Sequence, residues 1–157
     1  MSRDTTAEKF EEVQIGEQYT SHGRTVSESD VYRYAGLEGH YGELHTNKDK
    51  MKDSEYGQRI AHGGLLVVLT NGFITKLPFH HDVVALYGLD SVRFVNPVFI
   101  DDTVHLEAEV VDKESKGEDG GIVTYKCELR KTDGTLAMAL EWLYMIRCPV
   151  ERKTASG

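Results

Sequence analysis

Cysteine is nearly missing from this chain, with only Cys127 and Cys148 among its 157 residues. Neither has CxxC spacing or histidine-rich company, which argues against a zinc ribbon or thioredoxin-type exchange and leaves two buried free thiols as the expectation. Long apolar runs are missing too, since no stretch approaches the ~20 residues of a membrane span. The opening MSRDTTAEKFEE has no apolar h-region of a secretory signal. Positive charge is in deficit, with 18 Lys and Arg against 26 Asp and Glu and a net charge of −8. That balance favours solubility and argues against nucleic acid or an anionic membrane as partner, though it leaves room for a small basic pocket for a phosphorylated ligand. Internal repeats and low-complexity tracts are absent as well. A cytoplasmic location is expected, and the low cysteine content agrees with it.

What is present suits one domain over residues 1–157, with an ordered core of about 10–148 between polar ends. A short extended segment is expected between Gly16 and Val26. Ser27 with Asp30 three residues on is a near-variant of a capping box, and Val31, Tyr34 and Ala35 share a helical face, so a helix starts there and ends near Gly36 or Gly39. Glu38 to Gln58 is polar and turn-rich, with a short helix in KDKMKDSEYGQ at most. From Gly63 the run LLVVLTNGFITKL is apolar almost all round and closes at Pro78, the pattern of a helix buried on most of its surface. Thereafter the period becomes two. Strands are expected at Val83–Tyr87, Ser91–Val95, Thr103–Val111, Ile122–Leu129 and Leu136–Arg147, with turns at Pro97, Asp101-Asp102 and Thr132-Asp133-Gly134. One apolar helix followed by consecutive antiparallel strands is an α+β arrangement, a sheet wrapped on a central helix.

Chemistry concentrates between Tyr34 and Asn71. The loop Gly39-His40-Tyr41-Gly42-Glu43-Leu44-His45 holds two imidazoles and a carboxylate, and its glycines permit tight turns. Histidine titrates near neutral pH and a neighbouring Glu orients it, so the loop suits proton removal from a water or an acidic C–H. The competing reading is a solvated polar loop. No third ligand at suitable spacing accompanies the two histidines, so no metal is expected. Next comes His62-Gly63-Gly64 at the helix start, where unobstructed backbone N–H groups and the helix dipole favour negative charge, such as a thioester oxygen becoming enolate-like. Equally, the two glycines serve close packing. Thr70 and Asn71 are polar within the apolar helix, so each must bond to the backbone or face a polar cavity. His80, His81 and His105 read as surface or structural residues. Leu66, Phe73, Phe79 and Tyr87 read as core more readily than as pocket wall.

The blocks YAGLEGHYGELHT, YGQRIAHGGLLVV and GLDSVRFVNPVFIDDTV, in this order, resemble the MaoC-like dehydratases, the R-specific enoyl-CoA hydratases. The resemblance runs from about Phe10 to Arg147. It implies a hot-dog fold, a curled antiparallel sheet around a long central helix, assembled as a homodimer or higher homo-oligomer. In that family the first block runs Gly-Asp-x-Asn-Pro-x-His, and its Asp and His hold and activate a water that adds across a trans-2-enoyl thioester. His45 falls on the family histidine. His40 stands where the family has its aspartate, with Gly42 and Glu43 in place of the Asn and Pro. The family's oxyanion donor, a glycine amide, falls on Gly63, and a small hydroxyl that helps the dyad falls on Asn71. Arg93 and Pro97 of the third block look structural, with Arg93 expected to pair with a carboxylate.

The resemblance therefore implies reversible hydration or dehydration of a 2-enoyl-CoA or 3-hydroxyacyl-CoA thioester, with no cofactor beyond the CoA that is part of the substrate. His45, His40, Glu43 and Gly63 are the expected catalytic residues, Glu43 or His40 taking over the lost aspartate. Asn71, His62, Gly64 and Tyr41 are the expected substrate contacts. Two alternatives accompany this reading: a silent acyl-CoA-binding subunit beside an active partner, and an acyl-CoA thioesterase using Glu43.

Overall fold

A computed structural model describes residues 9–78, 81–118 and 120–147. Cys148, Phe79 and His80 lie outside the described residues. Along the chain the elements are β1 (Gln18–Thr20), β2 (Arg24–Thr25), α1 (Glu28–Glu38), α2 (Glu43–Thr46), α3 (Lys48–Met51), α4 (Gly63–Ile74), β3 (Val83–Phe94), β4 (Thr103–Ser115), β5 (Gly120–Lys131) and β6 (Leu136–Arg147). The strands form one antiparallel sheet in the order β1-β4-β5-β6-β3, with β2 also paired to β4. Among the described residues, no helix is long and apolar enough to cross a membrane.

Alternation on the strands decides where the core lies. On β4 the buried residues Val104, Leu106, Ala108 and Val110 alternate with half-exposed His105, Glu107 and Glu109. β5 and β6 add Tyr125, Cys127, Leu129, Met138, Leu140 and Trp142 to the same cluster. Against this layer α4 places Leu65, Leu66, Leu69, Phe73 and Ile74, so Leu66 and Phe73 are core as expected. Thr70 is fully buried and donates its hydroxyl to the Leu66 carbonyl at 3.0 Å, the backbone option of the two open to it. Cys127 is a buried free thiol, and burial pushes its pKa up to about 12.

Several boundaries differ from the sequence expectation. The two strands expected at Val83–Tyr87 and Ser91–Val95 are one, β3, whose pairing with β6 shifts register between Asp90 and Arg93 where Ser91 takes φ 54°. A local irregularity is absorbed by the ladder instead of ending it. α2 was not anticipated, because four residues carry too little periodicity. α4 is buried on most of its surface as expected, with an exposed strip at Val68, 54% exposed, and at Asn71 and Gly72. Arg93 donates to the Val92 carbonyl at 2.8 Å, where a carboxylate partner was expected.

The α1 start follows the expectation closely. Ser27 accepts from the Asp30 backbone N–H at 3.1 Å, and Asp30 accepts from the Ser27 backbone N–H at 2.9 Å. The helix ends at Gly39, whose φ of 80° is a left-handed cap that glycine adopts without steric cost. Ser27→Ala should lower unfolding free energy by about 1 kcal/mol. Urea titration checks this as a reduced midpoint at unchanged slope.

Candidate active site

Three histidines meet at the start of α4. His40 follows the α1 cap, His45 sits on α2, and His62 is the α4 N-cap. His45 and His62 stack with ring centroids 3.6 Å apart and planes 22° apart. His40 stands edge-on to both, at 5.3 Å and 5.7 Å. His45 and His62 are 6% and 3% exposed, whereas the His40 side chain is 57% exposed.

Backbone pairing holds these rings in place. The segment before α4 is pinned on both sides, by Ile60 N–H to the Leu44 carbonyl at 3.2 Å and Ala61 N–H to the Val98 carbonyl at 2.7 Å. With Ile60 so fixed, its carbonyl accepts from His45 Nδ1 at 2.7 Å. That bond puts the His45 proton on Nδ1 and leaves Nε2 as the basic nitrogen. Burial lowers the His45 pKa, opposed by its bond to Ile60, lowered further by His62 and His40 and raised again by Glu38. His62 Nε2 donates to the His40 carbonyl at 3.1 Å, tying the two ends of the site together.

Glu38 is the carboxylate at this site, and reading the sequence alone missed it. Its Oε2 lies 3.9 Å from His40 Nδ1 and 4.0 Å from His62 Nε2. Tyr34 lies one turn earlier on α1, and its pKa is raised by burial first and then by the nearby Glu38 carboxylate. Helical spacing of four residues was the signal that pairs Tyr34 with Glu38. Nothing local in the sequence aims the pair at α4.

Glu43 does not fill the role expected of it. Its carboxylate is held by Lys50 and by Asn47 Nδ2 on the outer side of α2, is 56% exposed, and has its pKa lowered first by the Lys50 hydrogen bond. Sequence proximity misled here, because the first turn of α2 directs residue 43 toward α3 while residue 45 turns inward. Asn71 is exposed, and it stands eight residues beyond Gly63, ~12 Å along the helix axis. Tyr41 is 58% exposed, and its hydroxyl lies against Gly36 of α1. His62, expected at the helix start as a substrate contact, is the third imidazole of the cluster.

Both glycines at the α4 start are packing sites. A β-carbon on Gly63 would come within 2.9 Å of the Phe94 ring, and one on Gly64 would lie 1.8 Å from the Tyr34 hydroxyl. Close packing and an unobstructed helix start coincide here. Among the described residues no side chain caps α4, so its first amides present positive partial charge beside the histidines. A buried base, a nearby carboxylate and a helix N-terminus together suit proton transfer to and from a substrate whose oxygen gains negative charge.

Comparison with known proteins gives consistent results. The family model described as MaoC like domain matches residues 10–130. The (R)-specific enoyl-CoA hydratase of Rhodospirillum rubrum is 39% identical over 100 residues, covering 60% of this chain and 64% of that enzyme. Protein MaoC of Klebsiella aerogenes is 32% identical over 97 residues, covering 62% of this chain and 29% of that protein. The match thus spans less than two thirds of the length of either relative. Among solved structures, a monoamine oxidase regulatory protein from Archaeoglobus fulgidus is 34% identical at a TM-score of 0.85, covering 92% of this chain and 97% of that one. A Mycobacterium tuberculosis protein with a double hot-dog fold is similar at a TM-score of 0.77 and 18% identity, over 94% of this chain and 46% of that one. The sheet and α4 are therefore a hot-dog fold.

Since Glu38 is the nearby charge that raises the His45 pKa, Glu38→Gln should move it further below the ordinary histidine value. Imidazole proton shifts followed by NMR against pH measure this. An unchanged or raised midpoint contradicts the placement of Glu38.

Proposed function

The chain belongs to the MaoC-like domain family, and from that premise we propose that it hydrates a 2-enoyl-CoA thioester, and dehydrates the 3-hydroxyacyl product in reverse, with His45 as the base. The observation that carries this reading is the bond from His45 Nδ1 to the Ile60 carbonyl, because it leaves a buried, neutral Nε2 beside the amides of α4. In the forward direction Nε2 takes a proton from water, the resulting hydroxide oxygen bonds to C3, and the thioester carbonyl becomes an enolate. Gly63 N–H donates to that enolate oxygen, an interaction worth about 3 kcal/mol in comparable oxyanion sites. The imidazolium then returns its proton to C2, so one water is consumed and no cofactor is needed. Glu38 stabilises the imidazolium through space and stands in for the aspartate that His40 displaces.

This assignment departs from the family pattern in the source of its negative charge. Glu38 comes from α1 and reaches the cluster beside His40, whereas the family's aspartate precedes its histidine on the same loop. His62 and Gly64 remain as walls of the site, and Tyr34 stands beside Glu38.

A second copy of the chain completes the molecule in this reading. β3 is an edge strand of twelve residues, and Val84, Leu86, Tyr87 and Phe94 on it are 47–59% exposed. Val68 and Asn71 on α4 are exposed as well. An unpaired edge with this much apolar surface is an aggregation hazard unless covered, and a homodimer covers it.

With crotonyl-CoA as substrate, His45→Ala should reduce kcat/KM by roughly 10²–10⁴-fold, while Glu43→Gln should leave it unchanged. The wild-type rate should rise with pH to a plateau, with a midpoint below the ordinary value of 6.5, because only neutral His45 accepts a proton. Full activity in His45→Ala overturns the reading. Binding of the CoA ester without turnover would instead identify a silent subunit, and release of free CoA a thioesterase. Sedimentation should give a dimer for the wild type and a monomer for a Leu86→Lys, Tyr87→Glu double variant.

A further inference from the structure

One ring nitrogen from each of His40, His45 and His62 lies within 4.8 Å of the other two. We propose that these three imidazoles bind a single divalent transition-metal ion of the zinc class, with water in the fourth position. This reverses the expectation of no metal and does not rest on the hydration reading.

The first support is the donor set. Three neutral imidazoles suit zinc, copper or nickel and disfavour magnesium and calcium, which need carboxylate and carbonyl oxygens. Three histidines with an open fourth position are a known zinc arrangement. Orientation is the second support. His45 Nδ1 is already bonded to the Ile60 carbonyl at 2.7 Å, the backbone anchor that ligating histidines use to hold their other nitrogen toward a metal. The third is a buried nitrogen of His62: Nδ1 has no hydrogen-bond partner among the described residues, on a residue 3% exposed, a state that costs free energy unless something satisfies it. Glu38, 3.9 and 4.0 Å from His40 and His62, supplies negative charge just outside the ligands.

Uptake needs the nitrogens to close and the stack of His45 on His62 to open, because a metal lies in the plane of each ring that ligates it and two rings 3.6 Å apart and 22° from parallel do not both point at one ion. Zinc–nitrogen bonds of about 2.1 Å at tetrahedral angles put the nitrogens about 3.4 Å apart. His40 is the ring free to make that movement, since its side chain is 57% exposed and lies between Gly39, with φ 80°, and Gly42. The Gly42 backbone lies against the ring: a β-carbon there would sit 2.6 Å from His40 Nε2.

The test uses the full chain, free of any affinity tag and stripped of metal, titrated with Zn²⁺ by calorimetry and with Co²⁺ by absorption spectroscopy. One ion per chain is expected, with the intense visible bands of four-coordinate Co²⁺. Affinity should fall at least tenfold in His40→Ala, whose exposed ring lets the fold persist, and at least tenfold in His62→Gln, with folding checked by circular dichroism. Absence of saturable one-to-one uptake overturns the site, as does undiminished affinity in either variant. Hydration of crotonyl-CoA by protein that takes up no zinc would sink the metal site alone. Zinc uptake together with no turnover by the metal-free protein would sink the hydration reading alone, because a bound ion occupies the His45 nitrogen that acts as the base.

Discussion

The contact between the Tyr34 hydroxyl and the backbone of Gly64 governs the assembly of this molecule. The hydroxyl lies 1.8 Å from where a β-carbon on residue 64 would be, so α1 reaches α4 at this depth only because residue 64 has no side chain. Everything chemical follows from that approach. Glu38 is carried in one turn after Tyr34, the Gly39 cap then reverses the chain, and His40 is delivered above His62. At its other end, α1 is tied by the capping box and by the Arg59–Glu28 ion pair at 2.6 Å, which also fixes the segment leading to His62.

Electrostatics at the junction are those of a site built to hold little positive charge of its own. Two of the three imidazoles are buried, and burial first, then the nearby rings of His62 and His40, disfavour protonation of His45. The bond to the Ile60 carbonyl and the Glu38 carboxylate oppose this. The outcome is a base that stays neutral into mildly acidic conditions, beside helix amides that favour an anion. The same crowding of lone pairs is what a soft divalent cation would relieve, so proton transfer and metal ligation draw on one set of nitrogens.

The fold completes a core but not a surface. One face of α4 and the long edge strand β3 carry apolar residues into solvent, while the opposite face of α4 is packed against β4 to β6. Hydrophobic burial on the inner face accounts for folding of the single chain. The outer face is the natural place for a second copy.

Local patterns settled much in advance. The capping box at Ser27, the helix starting at Gly63, the alternation along β4 and the turn at Gly134 each depend on residues a few positions apart, which is the range over which backbone hydrogen bonds and side-chain periodicity act. The hot-dog fold was legible for that reason, together with the resemblance of three blocks. Tertiary structure alone decided which carboxylate serves the site. Glu43 lies two residues from His45 and points toward Lys50, whereas Glu38 is seven away and reaches the cluster because α1 packs on α4. It also decided that His62, 22 residues from His40, closes the trio of imidazoles. Residues that distant in sequence meet through packing of whole helices, and no spacing rule along the chain encodes that packing.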